Sequence, residues 1–170
     1  MSTYDLSSLA PSDAEVALRS FPRRFREVLA PLGDDENIDE LASRRGPDGS
    51  SALDQLATLS DRWALQEAAL RQILVADAPA VPAAAVDQSL AVPDGSPVPA
   101  RIAPALQRLQ ATATSLAASV AATPSGGWTR VGRAGADREI TTLDLAREAV
   151  RAGRDTLDRV GRTLDAVRHL

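Results

Sequence analysis

The sequence contains no cysteine and no lysine. The absence of cysteine excludes disulfide bonds and thiolate chemistry, and it fits a reducing compartment. The absence of lysine excludes a Schiff-base mechanism, because that mechanism requires a lysine amine. Aromatic residues make up 3% of the chain, which leaves few rings for stacking against nucleic-acid bases.

An excess of positive charge and a long apolar run are also missing. The formal net charge is −4 and the pI is about 5.0, which argues against non-specific nucleic-acid binding. No apolar run approaches the roughly 18 residues of a membrane-spanning helix. Residues 1–5 show neither the basic nor the apolar part of a signal peptide. We therefore expect a cytoplasmic protein that has no nucleic-acid or membrane partner.

The strongest pattern is an apolar stripe near the end of the chain. Its members follow one another at alternating spacings of three and four residues: Leu143, Ala146, Val150, Gly153, Leu157, Val160, Leu164 and Val167. This rhythm predicts a long amphipathic helix over residues 141–168 with one buried face. Thr141 is expected to cap the helix, with Asp144 completing a capping box.

Similar rhythms predict three earlier helices, over residues 13–30, 52–76 and 100–122. Ser12 is expected to cap the first, which Pro22 should kink or restart, and Ser50 or Ser51 to cap the second. Residues 1–11 are expected to be loose. Residues 31–49 are expected to form an acidic, turn-rich loop with a short helical turn near Ile38, and residues 128–140 a small hairpin or an irregular loop.

Residues 78–99 are rich in proline and alanine. We expect them to form a long connection between the second and third helices and not a packed element, which argues against a tight hairpin of those two helices. All 170 residues are expected to form one all-α domain. The outer face of the third helix carries Ala, Ser and Thr, which favours either close helix contact or the interface of a homodimer.

Two short motifs resemble a known family. The segment Ser51 to Asp61, SALDQLATLSD, is similar to the second-helix motif of the DinB-like (DinB/YfiT-like) superfamily, which commonly reads W-S-x-x-E-x-x-x-H-x-x-D. The segment WTRVG at residues 128–132, followed by TLDLAR at 142–147, is similar to that family's entry into its last helix. The resemblance spans most of the chain and implies a four-helix bundle with a long connection between helices 2 and 3.

The family's metal ligands are not present at the matching positions. Members typically hold a divalent metal with one histidine on the second helix and two histidines, four residues apart, on the last helix. The second-helix position corresponds to Thr58 here. The last-helix pair corresponds to Arg151 and Asp155 in one register, or to Gly153 and Leu157 in another. The only histidine, His169, is penultimate, so neither a metal nor another cofactor is expected.

Charged residues offer a replacement for the metal site. If Asp61 faces the groove beside Thr58, Arg151 or Arg154 of the last helix could pair with it, and such a pair would fill the vacated position or bind a small anion. For the other carboxylates of the second and last helices, surface ion pairs with nearby arginines of the last helix are favoured over a carboxylate metal site. These arginines are Arg147, Arg151, Arg159 and Arg162.

The resemblance leads to three hypotheses about function. The first is a DinB-like protein of unassigned activity that lacks the metal and binds a small molecule or a protein. The second is a thiol-dependent transferase or isomerase of that superfamily with an altered site, and the third is a structural or regulatory homodimer. The sequence contains no phosphate-binding G-K-[ST], no H-E-x-x-H and no G-x-S-x-G motif, so we assign no catalytic residue.

Overall fold

The computed structural model describes residues 6–30 and 37–168, which form five α-helices and a three-stranded sheet. The helices are α1 (Pro11–Leu29), α2 (Ile38–Ser43), α3 (Ala52–Val75), α4 (Ile102–Ala121) and α5 (Thr142–Arg168). The strands are β1 (Ala80–Val81), β2 (Val131–Ala134) and β3 (Arg138–Thr141). The fold is predominantly helical, as predicted, with a small sheet in addition. The predictions for residues 1–5, for 31–36 and for His169 lie outside the described residues.

Helix α5 forms as its apolar stripe predicts. The stripe is buried from Ala146 to Val167, and only Leu143 at its start is half-buried. Thr141 Oγ1 accepts a hydrogen bond from the backbone N–H of Asp144 at 3.0 Å and donates one to the carboxylate of Asp144 at 2.8 Å. The predicted cap is therefore confirmed, and it fixes where the helix begins.

Helix α1 differs from the prediction at two points. It begins at Pro11 after Ala10, and no side chain caps it, so the predicted Ser12 cap is wrong. Proline favours the first helical position because its backbone angle suits a helix and the N–H it lacks would have no helical acceptor there. No restart occurs at Pro22, which is buried within one continuous helix beside Phe21 and Phe25.

The four long helices enclose the core, and each packs against two others. Helices α1 and α3 both contact α4 and α5. At the centre the rings of Phe21 and Trp63 lie 5.7 Å apart, and Phe25 packs beside Phe21. The indole N–H of Trp63 donates to the carbonyl of Ala149 at 3.0 Å. This bond satisfies the only polar atom of the side chain inside the core and ties α3 to α5.

The first part of the proline-rich connection is packed, contrary to the prediction, whereas residues 89–98 are largely exposed as expected. Strand β1 pairs in parallel with β2, with Ala80 opposite Arg133 and Val81 opposite Ala134. A short 3₁₀ turn, Ala83–Ala85, follows, and residues 84–86 are buried. The prediction failed because side chains of α3 supply hydrogen-bond donors to this segment, and these distant partners leave no local pattern in the sequence.

The hairpin alternative for residues 128–140 is confirmed. Strands β2 and β3 are antiparallel, and Gly135 occupies the turn with φ +70. Just before β2, the guanidinium of Arg130 donates to the carbonyls of Ile73 at 2.8 Å and Ala76 at 2.7 Å. Because carbonyls at a helix C-terminus lack intrahelical donors, this arginine both caps α3 and anchors the hairpin beside it.

Short elements complete the frame. The predicted helical turn near Ile38 is α2, and the carboxylate of Asp39 within it accepts a hydrogen bond from the backbone N–H of Ile102 at 2.8 Å. An acidic side chain at this place stabilises the N-terminus of α4.

Among the described residues, no helix combines the length and the apolar character that crossing a membrane requires.

Candidate functional site

A polar cavity of about 90 Å³ lies between α3, α5 and the connection that follows α3. Helix α3 brings one face to it, the connection contributes one amide, and α5 supplies a hydroxyl and a guanidinium. The polar side chains in its lining are Ser50, Asp54, Gln55, Thr58, Arg62, Gln88, Thr156 and Arg159. The α3 members fall at spacings of three and four residues, which places them on one side of the helix. We call this space the α3–α5 cavity.

The cap of α3 fixes Asp54 at the edge of the cavity. Ser51 Oγ accepts the backbone N–H of Asp54 at 3.0 Å, and the Asp54 carboxylate accepts the backbone N–H of Ser51 at 2.9 Å. This reciprocal capping box confirms Ser51, one of the two predicted caps. The negative charge of Asp54 therefore lies at a helix N-terminus, where the helix dipole stabilises it.

Arg62 is a buried arginine that holds the connection in place. Its guanidinium donates to the carbonyls of Ala84, Asp87 (3.0 Å), Gln88 (3.3 Å) and Leu90 (2.9 Å). The residue is 4% exposed, and burial lowers the pKa of its guanidinium. One side chain of α3 thus fixes the segment that forms a wall of the α3–α5 cavity.

Two buried glutamines flank Arg62 on α3. The amide of Gln55 donates to Ser50 Oγ at 2.8 Å and to Thr163 Oγ1 at 2.9 Å, which links α3 to α5. The amide of Gln66 donates to the carbonyl of Ala85 at 2.8 Å and supports the connection. Within the described residues, the Oε1 atom of each amide lacks a hydrogen-bond donor. The interior beside the cavity therefore holds more acceptors than the surrounding chain satisfies.

Arg159 brings a second positive charge to the α3–α5 cavity. It is half-buried on α5 and forms no ion pair with a described residue. Its charge lowers the pKa of Arg62, although burial is the larger cause, and it also contributes to lowering the pKa of Asp48. Two guanidinium groups of like charge therefore interact across this space.

The connection carries an ordered turn at the same place. Ser89 donates from its hydroxyl and its backbone N–H to the Asp87 carboxylate, at 2.6 and 2.9 Å. These two bonds lower the pKa of Asp87 and keep its carboxylate charged. Gln88, between them, donates from its side-chain amide to the carboxylate of Asp155 at 3.3 Å, which joins the connection to α5.

The predicted site residues are divided among three environments. Thr58 is exposed and lines the α3–α5 cavity, and Asp155 lies near it through its contact with Gln88. Gly153 and Leu157 are buried in the core and do not line the cavity, and Gly153 lies against the rings of Phe21 and Trp63. The register that matches the apolar stripe is therefore a packing face of α5.

The predicted partner of Asp61 is wrong. The carboxylate of Asp61 pairs with Arg108 of α4 and accepts the backbone N–H of Ser96 at 3.0 Å. Asp61 follows Thr58 by three residues, so the two lie on neighbouring parts of the α3 surface, and Asp61 lies on the part that α4 covers. Arg151, offered as a partner for Asp61, is exposed and pairs with Glu148 on its own helix, whereas Arg154 is half-buried on α5.

The remaining carboxylates were expected to pair with four arginines of the last helix, and two of these do: Arg147 lies 3.5 Å from Asp144, and Arg151 pairs with Glu148. Arg159 and Arg162 form no ion pair with a described residue. Glu67 instead pairs with Arg71 of its own helix at 2.6 Å. Glu67 also accepts hydrogen bonds from Ser115 and Ser119 of α4, at 2.9 and 2.8 Å. Within residues 6–30 and 37–168, no three His, Asp or Glu side chains cluster closely enough to hold a metal ion.

A second, wider groove separates α3 from α4. It encloses about 300 Å³ and is lined mainly by Leu70, Leu74, Ala118 and Ala122. Val75, the last residue of α3, is 85% exposed. This groove is apolar and open, in contrast to the polar α3–α5 cavity.

Sequence reasoning found Thr58 but missed most of the cavity. Arg62, Gln88 and Thr156 have no motif around them, and Arg159 was assigned to a surface ion pair that does not form with any described residue. One signal was available, because Gln55, Arg62 and Gln66 form a polar row on α3 with spacings of seven and four residues. A polar row of this kind beside an apolar helix face is consistent with buried hydrogen bonding.

Comparison with protein-family models, with curated proteins and with solved structures finds no match for this chain.

Proposed function

We propose that this protein is a DinB-like four-helix bundle without the family's divalent metal, and that it binds a small molecule in the α3–α5 cavity. One observation carries the proposal. Thr58, the residue at the position of the family's second-helix histidine, lines a polar cavity between α3 and α5. The space that a metal would use in the resembling family is here bordered by hydroxyl, amide and guanidinium groups.

The composition of the cavity supports binding more than catalysis. Ligand sites combine a concave shape with a few convergent polar groups, and the α3–α5 cavity has both. A nucleophilic mechanism would require a general base beside Thr58 or Thr156; no histidine lines this space, and its one carboxylate, Asp54, is held in the capping box with Ser51. The thiol-dependent transferase or isomerase is therefore the weaker alternative for this site.

A fragment screen followed by NMR tests the proposal. Small polar fragments are expected to shift the backbone signals of Thr58, Gln88 and Thr156 in a saturable manner. Thr58→Leu should weaken the best fragment about tenfold, because it replaces a hydroxyl at the cavity wall with a larger apolar group. The matched control, Thr114→Leu, alters an exposed threonine of α4 outside the cavity and should leave affinity unchanged.

Two outcomes of the screen would reject the binding proposal. The first is the absence of any saturable shift at the cavity signals across the fragment set. The second is an equal loss of affinity in Thr58→Leu and Thr114→Leu, because the fragment would then bind elsewhere or respond to a general change in the protein.

A homodimer is the second candidate function, and the α3–α4 groove favours it. The groove is apolar, Val75 at the end of α3 is exposed, and the outer face of α4 bears small side chains that permit close helix contact. In this candidate the second copy of the chain covers the groove, and the protein acts through its assembly.

A further inference from the structure

We infer that the α3–α5 cavity selects a small oxyanion, a carboxylate or a phosphate, and that Arg159 is the residue that determines this specificity. The inference rests on the proposed function, since it names the ligand class of the same cavity. It follows from three observations: the charged groups around the cavity, the hydrogen bonds that the nearby charged side chains already make, and the volume of the cavity.

The lining of the cavity carries two guanidinium groups and one carboxylate. Arg62 and Arg159 both line the space, and Arg159 has no ion pair among the described residues. Asp54 is the only carboxylate in the lining, and it accepts the backbone N–H of Ser51 in the capping box. Asp48 and Asp87 lie outside the lining and interact electrostatically with Arg159 and Arg62 without forming an ion pair with them. An anion between the two guanidinium groups would relieve their mutual repulsion.

The two arginines have different roles. The terminal N–H groups of Arg62 donate to carbonyls of the connection. Arg62 therefore contributes a positive charge at a fixed position in the cavity wall. Arg159 is half-buried at the cavity, and its planar fork of donors matches the paired oxygens of a carboxylate or phosphate. Arg159 is therefore the group expected to contact the ligand.

The other lining groups and the volume restrict the ligand further. Thr58 and Thr156 carry hydroxyls that can donate to an oxyanion, and Gln88 carries an amide. A cavity of about 150 Å³ can hold benzene, so one of about 90 Å³ holds roughly four non-hydrogen atoms. Acetate is of this size and inorganic phosphate is one atom larger, and larger ligands would place one such group in the cavity.

An NMR titration with matched probes tests the inference. Full-length ¹⁵N-labelled protein is titrated with acetate, with inorganic phosphate, and with acetamide, the neutral analogue of acetate, at constant ionic strength. Acetate or phosphate should shift the signals of Thr58, Thr156 and the Arg159 side chain saturably, with acetamide about tenfold weaker or more. The stronger of the two anions identifies a carboxylate or a phosphate as the natural group.

Arginine variants distinguish an effect of the cavity itself on anion affinity from an effect of the net charge of the protein. Arg159→Gln should weaken the preferred anion about tenfold, because a charge-assisted hydrogen bond is lost. Arg162→Gln removes the same charge from an exposed position of α5 outside the cavity and should change affinity less than about twofold. Arg159→Lys, which keeps the charge, should retain the preference for acetate over acetamide.

The outcomes distinguish the inference from the proposed function. Equal affinity for acetate and acetamide at the cavity signals overturns the oxyanion inference and leaves small-molecule binding intact. Equal losses in Arg159→Gln and Arg162→Gln also overturn it, since the effect would then be one of net charge. If no anion shifts the cavity signals, the inference is wrong, and the fragment screen decides the proposed function by itself.

Discussion

Gly153 marks the point where α5 passes closest to the aromatic centre of the core. A Cβ atom at this position would lie 2.6 Å from Cε2 of Phe21 and 2.9 Å from Cζ2 of Trp63. Both rings are fully buried and cannot move away without disturbing α1 and α3. The glycine thus allows α5 to approach closely, although glycine inside a helix costs backbone entropy.

Gly153→Ala is expected to destabilise the protein by about 1–3 kcal/mol through overpacking, even though alanine is the better helix former. The matched control is Gly161→Ala on the same helix, where the nearest heavy atom to a new Cβ is Val28 Cγ1 at 4.0 Å. That control should be neutral or stabilise by up to about 1 kcal/mol. Urea unfolding of both variants measures the difference, and a stabilised Gly153→Ala would refute the close packing.

At the residue scale, the sequence predicts burial but not contacts. The three-and-four spacing correctly placed Gly153 and Leu157 on a buried face. It did not indicate that this face meets Phe21 and Trp63, because periodicity within one helix contains no information about its neighbours. For the same reason Asp61 was assigned to an arginine of α5 and not to Arg108 of α4.

At the element scale, the connection after α3 depends on one side chain. Residues 84–90 have few regular backbone bonds, and Arg62 accounts for four of their carbonyl contacts. Gln66 adds a bond to Ala85, and β1 adds its pairing with β2. Arg62 therefore makes an irregular segment part of the packed structure.

Arg62→Met is expected to destabilise the protein by about 2–4 kcal/mol, because buried carbonyls lose a charged donor. Amide hydrogen exchange across residues 83–90 should accelerate more than exchange in α1 or α4. The control is Arg71→Met on the same helix, where an exposed guanidinium pairs with Glu67, and the loss there should not exceed about 1 kcal/mol. Unchanged exchange in residues 83–90 of Arg62→Met would show that the connection is held by other contacts.

Local signals account for the elements that were predicted correctly. The caps at Ser51 and Thr141 depend on residues three positions away, so the sequence reveals where α3 and α5 begin. Strand β1 was missed because its partner, β2, lies about fifty residues further along the chain. Two residues without a local turn or alternation pattern cannot predict such a pairing.

At the scale of the whole molecule, the α3–α4 groove bears on assembly. The homodimer candidate predicts a mass twice the 17.9 kDa of one chain in light scattering after gel filtration. Ala118→Arg, within the groove, should then restore the single-chain mass, because a buried unpaired charge is costly. Ala103→Arg, at an exposed position of α4 outside the groove, should not. A single-chain mass for the unmodified protein at high concentration would remove this candidate.

The α3–α5 cavity depends on features of single residues and of whole elements, because it requires the cap of α3, the anchored connection and the close approach of α5. Only Thr58 of its lining was singled out beforehand, through the resemblance to the DinB-like superfamily. The remaining lining comes from segments far apart in the sequence, so only the tertiary structure brings them together. We therefore propose that the cavity binds its ligand without a metal ion.

Metal content tests that central claim most directly. The measurement is elemental analysis of the untagged, full-length protein, purified without chelators and reported per chain. The account predicts nickel, zinc and iron far below one equivalent, because Thr58 and the α5 residues facing it offer none of the histidine ligands that the resembling family uses. About one equivalent of any of these metals per chain would contradict it.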